Sequence, residues 1–301
     1  MKDKIQKLKN EKNAIILAHY YTRPEVQEIA DFVGDSLALA QKAVSTNADI
    51  ILFAGVHFMA ETAKIINPTK KVLIPDLSAK CSLADSCPDE DFEVFLKNYP
   101  DYTVLSYVNC SAKVKALSDI IVTSGNALRV VNSLPKDAKI VFAPDKNLGA
   151  YINKMTGREM VLWNGACHVH DQLKAEKVLL HKQKFPKAIT IAHPECPQDV
   201  LQHADFVGST AAMLTFVRES NDKEFLVVTE NGILYELQKQ NPDKKFYSVL
   251  EQEQYCLNCE YMKYNSLENI YNALQTEQPE LVMDEALMSA ARLPLERMLT
   301  F

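Results

Sequence analysis

The stretch Ala30–Ser36 reads ADFVGDS, and Ala204–Thr210 reads ADFVGST, 174 positions further on. The first five letters are identical. Half of 174 is 87, so a triplicated chain places a third copy near residue 117, and Ser118–Ser124 reads SDIIVTS. All three share an aspartate, a short apolar β-forming run and a closing hydroxyl. Upstream of each lies another apolar run that ends in polar residues: AIILAHYY (14–21), TVLSYVN (103–109) and ITIAHPE (189–195). Such runs read as buried strands. His19, Tyr107 and His193 occupy equivalent places in them, with gaps of 88 and 86.

Downstream, LALAQKAV, NALRVVNSL and AAMLTFVRE carry helical spacing. Three further strand-like runs follow, DIILFAGVHF, KIVFAPDKN and EFLVVTENG, each leading into a helix predicted to start near Met59, Leu148 and Ile233. NPTKKVLIPD, TGREMVLW and NPDKKFYSVL then read as turns feeding a third strand. Each unit is thus three βα steps in roughly 87 residues. Alternating strands and helices predict parallel sheets covered on both faces. The expected fold is α/β: three similar three-layer αβα domains with parallel sheets around a pseudo-threefold axis, the active site at the centre. The boundaries fall at 1–98, 99–184 and 185–301, with a leading helix over 1–12 and closing helices after about residue 268.

The net charge of −6 argues against nucleic acid or an anionic membrane surface as a partner. The start, MKDKIQKLKNEKN, is charged and lacks the apolar segment of a signal peptide, and stretches such as DIILFAGVHFMA fall short of the roughly 20 apolar residues of a membrane span. The expected location is cytoplasmic.

Ligands of open parallel sheets bind beyond the carboxyl ends of the strands. This makes His19, Tyr21, Tyr107, Asn109, His193 and Glu195 candidate site residues. Ser36, Ser124, Ser209 and Thr210 fall at expected helix N-termini, where backbone N–H groups favour phosphate or carboxylate. A single serine there is explained as well by helix capping; equivalent positions in three units favour one shared anion site.

Of seven cysteines, Cys81, Cys167 and Cys259 follow the third strand of successive units, at gaps of 86 and 92. Three thiols converging near one axis suit a soft-metal centre, iron–sulfur or zinc, and three protein ligands leave a coordination position open. His168 or His170 would be a fourth ligand for zinc. Cys256 and Cys259 form a CxxC that would alternatively close as a redox disulfide. Cys87, Cys110 and Cys196 read as non-ligands.

LAHYY with ADFVGDS, FMAETAKI (58–65), PDKNLG (144–149), HPEC (193–196), VGST (207–210) and NALQTE (272–277) together resemble the quinolinate synthases over essentially the whole chain. The resemblance implies a triangular fold of three αβα domains around a [4Fe–4S] cluster held by Cys81, Cys167 and Cys259, with one iron lacking a protein ligand and acting as a Lewis acid. It implies condensation of iminoaspartate (iminosuccinate) with dihydroxyacetone phosphate to quinolinate, phosphate and water, in NAD biosynthesis. It also implies a functional link to an enzyme that supplies the imine from aspartate. Tyr21 and Glu195 would be the acid–base pair, and His19 and His193 would orient substrate. Tyr107, Asn109, Ser36, Ser124, Ser209 and Thr210 would bind carboxylates and phosphate. In the family a proline often follows the second cluster cysteine, where this chain has His168. Two rival readings use other chemistry. A zinc or thiol redox sensor would carry no turnover, and a plain anion-binding module would need no periodic cysteines.

Overall fold

The computed structural model describes residues 1–249 and 258–301. Among them run three four-stranded sheets, parallel throughout. The first holds β1 (Ala14–His19), β2 (Phe32–Gly34), β3 (Ile50–Ala54) and β4 (Lys71–Leu73), in the order β2-β1-β3-β4. The second holds β5 (Thr103–Tyr107), β6 (Ile120–Val122), β7 (Ile140–Ala143) and β8 (Val161–Leu162), in the order β6-β5-β7-β8. The third holds β9 (Ile189–Ala192), β10 (Phe206–Val207), β11 (Glu224–Val228) and β12 (Lys245–Ser248), in the order β10-β9-β11-β12. One topology therefore occurs three times, flanked by helices as in three αβα domains.

Each sheet has one strand more than the three-step reading expected. The additional strand lies in the repeated heptapeptide itself. Its aspartate is a structural clamp: Asp31, Asp119 and Asp205 accept hydrogen bonds from the backbone N–H of Ile16, Val104 and Thr190, each at 2.8 Å. The aspartate N–H groups donate back to the carbonyls of the same three residues at 2.8–2.9 Å. A strand of two or three residues is too short to hold its register by ladder bonds alone. A side-chain acceptor on the neighbouring strand's free N–H fixes it. At Gly34 and Gly208 a Cβ would come within 2.9 and 2.8 Å of the Phe32 and Phe206 rings, which keeps the chain tight against the helix that follows.

Those helices are Ser36–Ser45, Ala127–Ser133 and Thr210–Glu219, and the helices after the third-placed strands are His57–Ile66, Lys146–Thr156 and Ile233–Gln240. The leading helix is Lys2–Glu11. The closing helices pack away from the third sheet. Ile270, Ala273 and Leu274 of Leu267–Thr276 join Ile5, Ile16, Ile50 and Leu52 in one apolar cluster. The helix Glu285–Leu299 lies against β6 and the helices His57–Ile66 and Ala112–Ala116, burying Ala291, Leu295 and Met298. No helix among the described residues is long and apolar enough to cross a membrane.

Candidate active site

The carboxyl ends of the first strands of all three sheets open onto one cavity of ≈ 660 Å³, counted out to its mouth. The ends of β1, β5 and β9 and the residues that follow them bring His19 and Tyr21, Tyr107 and Asn109, and His193 and Glu195 to its wall. Ser36 and Ser124 join them two residues beyond the ends of β2 and β6, and Thr210 three residues beyond the end of β10. Ser36 and Thr210 are the first residues of their helices. Ser124 is not, because the second helix starts three residues later, at Ala127. Its hydroxyl instead meets His193 Nε2 at 3.3 Å. Ser209 lies outside the lining. It is an N-cap, accepting from the Ala212 N–H at 3.2 Å, as Asp35 does from Ala38 at 3.0 Å. The Asn109 amide oxygen is buried with no protein partner, which suits a ligand donor.

Cys81, Cys167 and Cys259 all line the same cavity and are unbridged. Each is the N-cap of a four-residue helix: Ser82–Asp85, His168–Asp171 and Glu260–Lys263. The amide N–H groups of Ala84, His170 and Met262, three residues on, face the sulfurs and favour thiolate without closing a full cap hydrogen bond. Burial dominates, pushing the Cys81 thiol up to about 12, Cys259 up to about 11 and Cys167 well above its ordinary value. The thiols lie close enough to raise one another further. A soft cation must therefore displace their protons on binding. Three half-buried, unbridged thiols with aimed N–H groups fit a thiolate-held metal group. Cys167, His170 and Glu195 also gather ligand atoms within 4.8 Å of one another, a set compatible with a single metal ion. His168, the other histidine considered for zinc, turns away to the Ser82 hydroxyl at 2.5 Å. Cys256 lies outside the described residues, so the CxxC reading has no structural counterpart here.

A continuous hydrogen-bonded chain starts beside the thiols, where His170 Nδ1 lies 3.3 Å from the Cys167 sulfur. Glu195 Oε1 accepts from the Tyr107 hydroxyl at 2.6 Å, and Oε2 lies 2.9 Å from His170 Nδ1. His170 Nε2 lies 2.8 Å from the Thr229 hydroxyl, which lies 2.9 Å from the Tyr21 hydroxyl. Tyr21 also reaches Thr210 at 3.2 Å. His170 and Thr229 escaped the sequence reading as partners of this pair. The only signals were that His170 stands three residues after Cys167, a candidate ligand, and that Thr229 directly follows a strand.

Electrostatics set the protonation of the cavity wall. Burial would push the Glu195 carboxyl up; His193 and His170, with hydrogen bonds from His170 and Tyr107, win and hold it below the usual carboxylate range. Burial pushes the Tyr21 and Tyr107 phenols well above theirs, so both keep their protons. Burial, then the neighbouring imidazole, lowers His19 to about 3. His193 falls to about 4 for the same first reason, although Glu195 opposes it. Both rings are neutral at pH 7. The unfolded chain binds these protons from its ordinary value of 6.5 downward, so the stability they confer is complete above pH 6.5 and is lost as the pH falls. At pH 5 the loss is about 2 kcal/mol for each ring. The melting temperature of the metal-free protein should fall by several degrees between pH 7 and pH 5, and by less in His19→Asn and His193→Asn. Equal pH dependence in parent and variants would contradict this.

The quinolinate synthetase A protein family model, NadA, matches residues 3–300. A quinolinate synthase of Synechocystis sp. is 54% identical over 296 residues, covering 98% of this chain and 93% of the relative. Those of Chloroherpeton thalassium and Nostoc punctiforme are 53% identical over 299 residues and 54% identical over 296, covering 93% and 91% of their own lengths. With three equivalent sheets around one cavity and a match that runs from end to end, the chain belongs to the quinolinate synthetase A family.

Proposed function

We propose that this chain is a quinolinate synthase of NAD biosynthesis. It would condense iminoaspartate with dihydroxyacetone phosphate, releasing quinolinate, phosphate and two waters. The observation that carries the reading is the pairing, in one cavity, of three convergent thiols with the directional chain from Tyr21 to Glu195. Cys81, Cys167 and Cys259 would hold a [4Fe–4S] cluster. When bound, the cluster supplies Lewis acidity at an iron without a protein ligand, easing loss of hydroxyl groups as water.

The remaining chemistry falls to side chains. Glu195, as a carboxylate, can only accept, so His170 Nδ1 carries the ring hydrogen and donates to it. In the neutral ring Nε2 must then accept from Thr229, and Thr229 in turn accepts from Tyr21. Proton flow therefore runs outward from the Tyr21 hydroxyl. Thr229 takes the phenolic proton as it passes its own to His170, and Glu195 stabilises the imidazolium. Tyr21 becomes a base at the cavity wall for enolisation and imine proton removal, and returns the proton to a departing hydroxyl. Ser36, Ser124, Thr210 and the Asn109 amide would bind the substrate carboxylates and phosphate, with His19 and His193 as neutral partners that orient them. An enzyme that oxidises aspartate to the imine would supply the first substrate.

The reading is tested by anaerobic purification, iron and sulfide analysis, and an assay for quinolinate from the two substrates. Brown protein with about four irons per chain and substrate-dependent quinolinate supports it. Colourless protein that resists reconstitution overturns it, and zinc in its place would favour the single-ion set Cys167, His170 and Glu195. Thr229→Val should cut turnover by about a hundredfold or more, because a methyl group neither accepts from Tyr21 nor donates to His170. Thr229→Ser should restore most of it at unchanged iron content. Full activity in the valine variant would exclude the relay.

A further inference from the structure

Resting on the reading that Cys167 and Cys259 are cluster ligands, we propose that Asp145 and Glu230 are positioning residues that hold these two ligands in place. The strand pairings Ala18↔Ala54, Ser106↔Ala143 and Ala192↔Val228 are equivalent in the three sheets. Two residues beyond the second member of each pair stand Val56, Asp145 and Glu230. Asp145 is fully buried, and Glu230 is 1% exposed. Each carboxylate is used in two directions. One Asp145 oxygen caps the helix Lys146–Thr156 through the Leu148 N–H at 2.7 Å, and the other accepts the Cys167 N–H at 3.2 Å. One Glu230 oxygen takes the Gly232 N–H at 2.6 Å, and the other takes the Cys259 N–H at 3.3 Å together with the Lys263 ammonium at 3.0 Å.

The Cys167 loop touches this strand end through one bridge, in which the Lys146 N–H donates to the Gly165 carbonyl at 2.8 Å, and the side-chain acceptor then holds the cysteine two residues further on. The loops also approach too closely to tolerate a side chain. A Cβ at Gly165 would meet the Pro144 carbonyl at 2.6 Å, and one at Gly232 would meet Tyr21 Cα at 2.5 Å. The first domain has Val56 at this register and ties its loop differently, with the His57 N–H donating to the Ala79 carbonyl at 2.8 Å. The geometry thus gives two of the three cysteines a carboxylate anchor, and Glu230, through Lys263, reaches the Tyr21 carbonyl at 2.5 Å as well.

The test reconstitutes the parent protein anaerobically with iron and sulfide, then follows iron release to an excess of chelator and the spin-resonance spectrum of the reduced cluster. Asp145→Ala and Glu230→Ala should release iron about tenfold faster or more and show altered spectra. Asp145→Asn and Glu230→Gln, which keep one acceptor oxygen, should fall between and serve in place of any alanine variant that does not fold. Asp205→Ala, which loosens an edge strand away from the ligand loops, should keep the parent's rate and spectrum. Folded Asp145 and Glu230 variants with the parent's rate and spectrum would overturn the proposal, as would an equal acceleration in Asp205→Ala. A parent that assembles no cluster would instead sink the underlying reading.

Discussion

Glu195→Gln is expected to lower quinolinate formation by roughly 10⁴ while leaving iron content unchanged, the scale seen when the carboxylate of a hydrolytic triad is removed. The amide is nearly isosteric, so the cavity keeps its shape, and its oxygen still accepts from the Tyr107 hydroxyl as Glu195 does at 2.6 Å. Its NH2 group then faces His170 Nδ1, now 2.9 Å from a carboxylate oxygen. A donor there forces the ring hydrogen onto Nε2. The ring no longer accepts from Thr229, and the chain that draws a proton from Tyr21 runs backward. The imidazolium also loses its counter-charge. The measurement is steady-state turnover on protein of known iron content. A variant with full iron and normal turnover would remove Glu195 from the mechanism.

The second large effect is expected from the thiols. Cys81→Ala, Cys167→Ala and Cys259→Ala should each fail to hold about four irons per chain and should lose activity. Cys87→Ala, Cys110→Ala and Cys196→Ala should keep both. These three cysteines lie in apolar clusters, buried to 1% or less, and none lines the cavity. The three ligand positions share a local design, with each sulfur at the start of a short helix and facing the N–H three residues on. Alanine leaves that N–H without its acceptor and leaves two thiolates to hold a cluster that needs three. Iron and sulfide analysis with an absorption spectrum decides the matter for each variant. Full assembly in Cys259→Ala but not in Cys256→Ala would move the third ligand to Cys256.

Several features of this protein were written along the chain. The repeated Asp-apolar-hydroxyl pattern marks three equivalent units because strand and helix periodicities are local and survive duplication. The equivalence of His19, Tyr107 and His193, and the recurrence of Cys81, Cys167 and Cys259, follow from the same spacing, and the motifs place the chain in its family. Other features depended on side-chain direction across three packed domains. The aspartate of the repeat is a clamp on an edge strand, and that edge strand is the fourth in each sheet. Ser209 shares its sequence neighbourhood with Thr210, yet it caps a helix while Thr210 faces the cavity, because adjacent residues at a helix start point in different directions. The chain Tyr21–Thr229–His170–Glu195 draws its members from the ends of strands in two sheets and from the short helix after Cys167, so no spacing announces it. Its polarity arises from burial, which keeps the phenols protonated, and from hydrogen bonds that keep Glu195 ionised. Periodicity determines which elements form and in what order. Contacts near 3 Å between residues far apart in the chain, such as Tyr21 and Thr229 at a separation of 208 positions, exist only once the domains have closed around their common cavity.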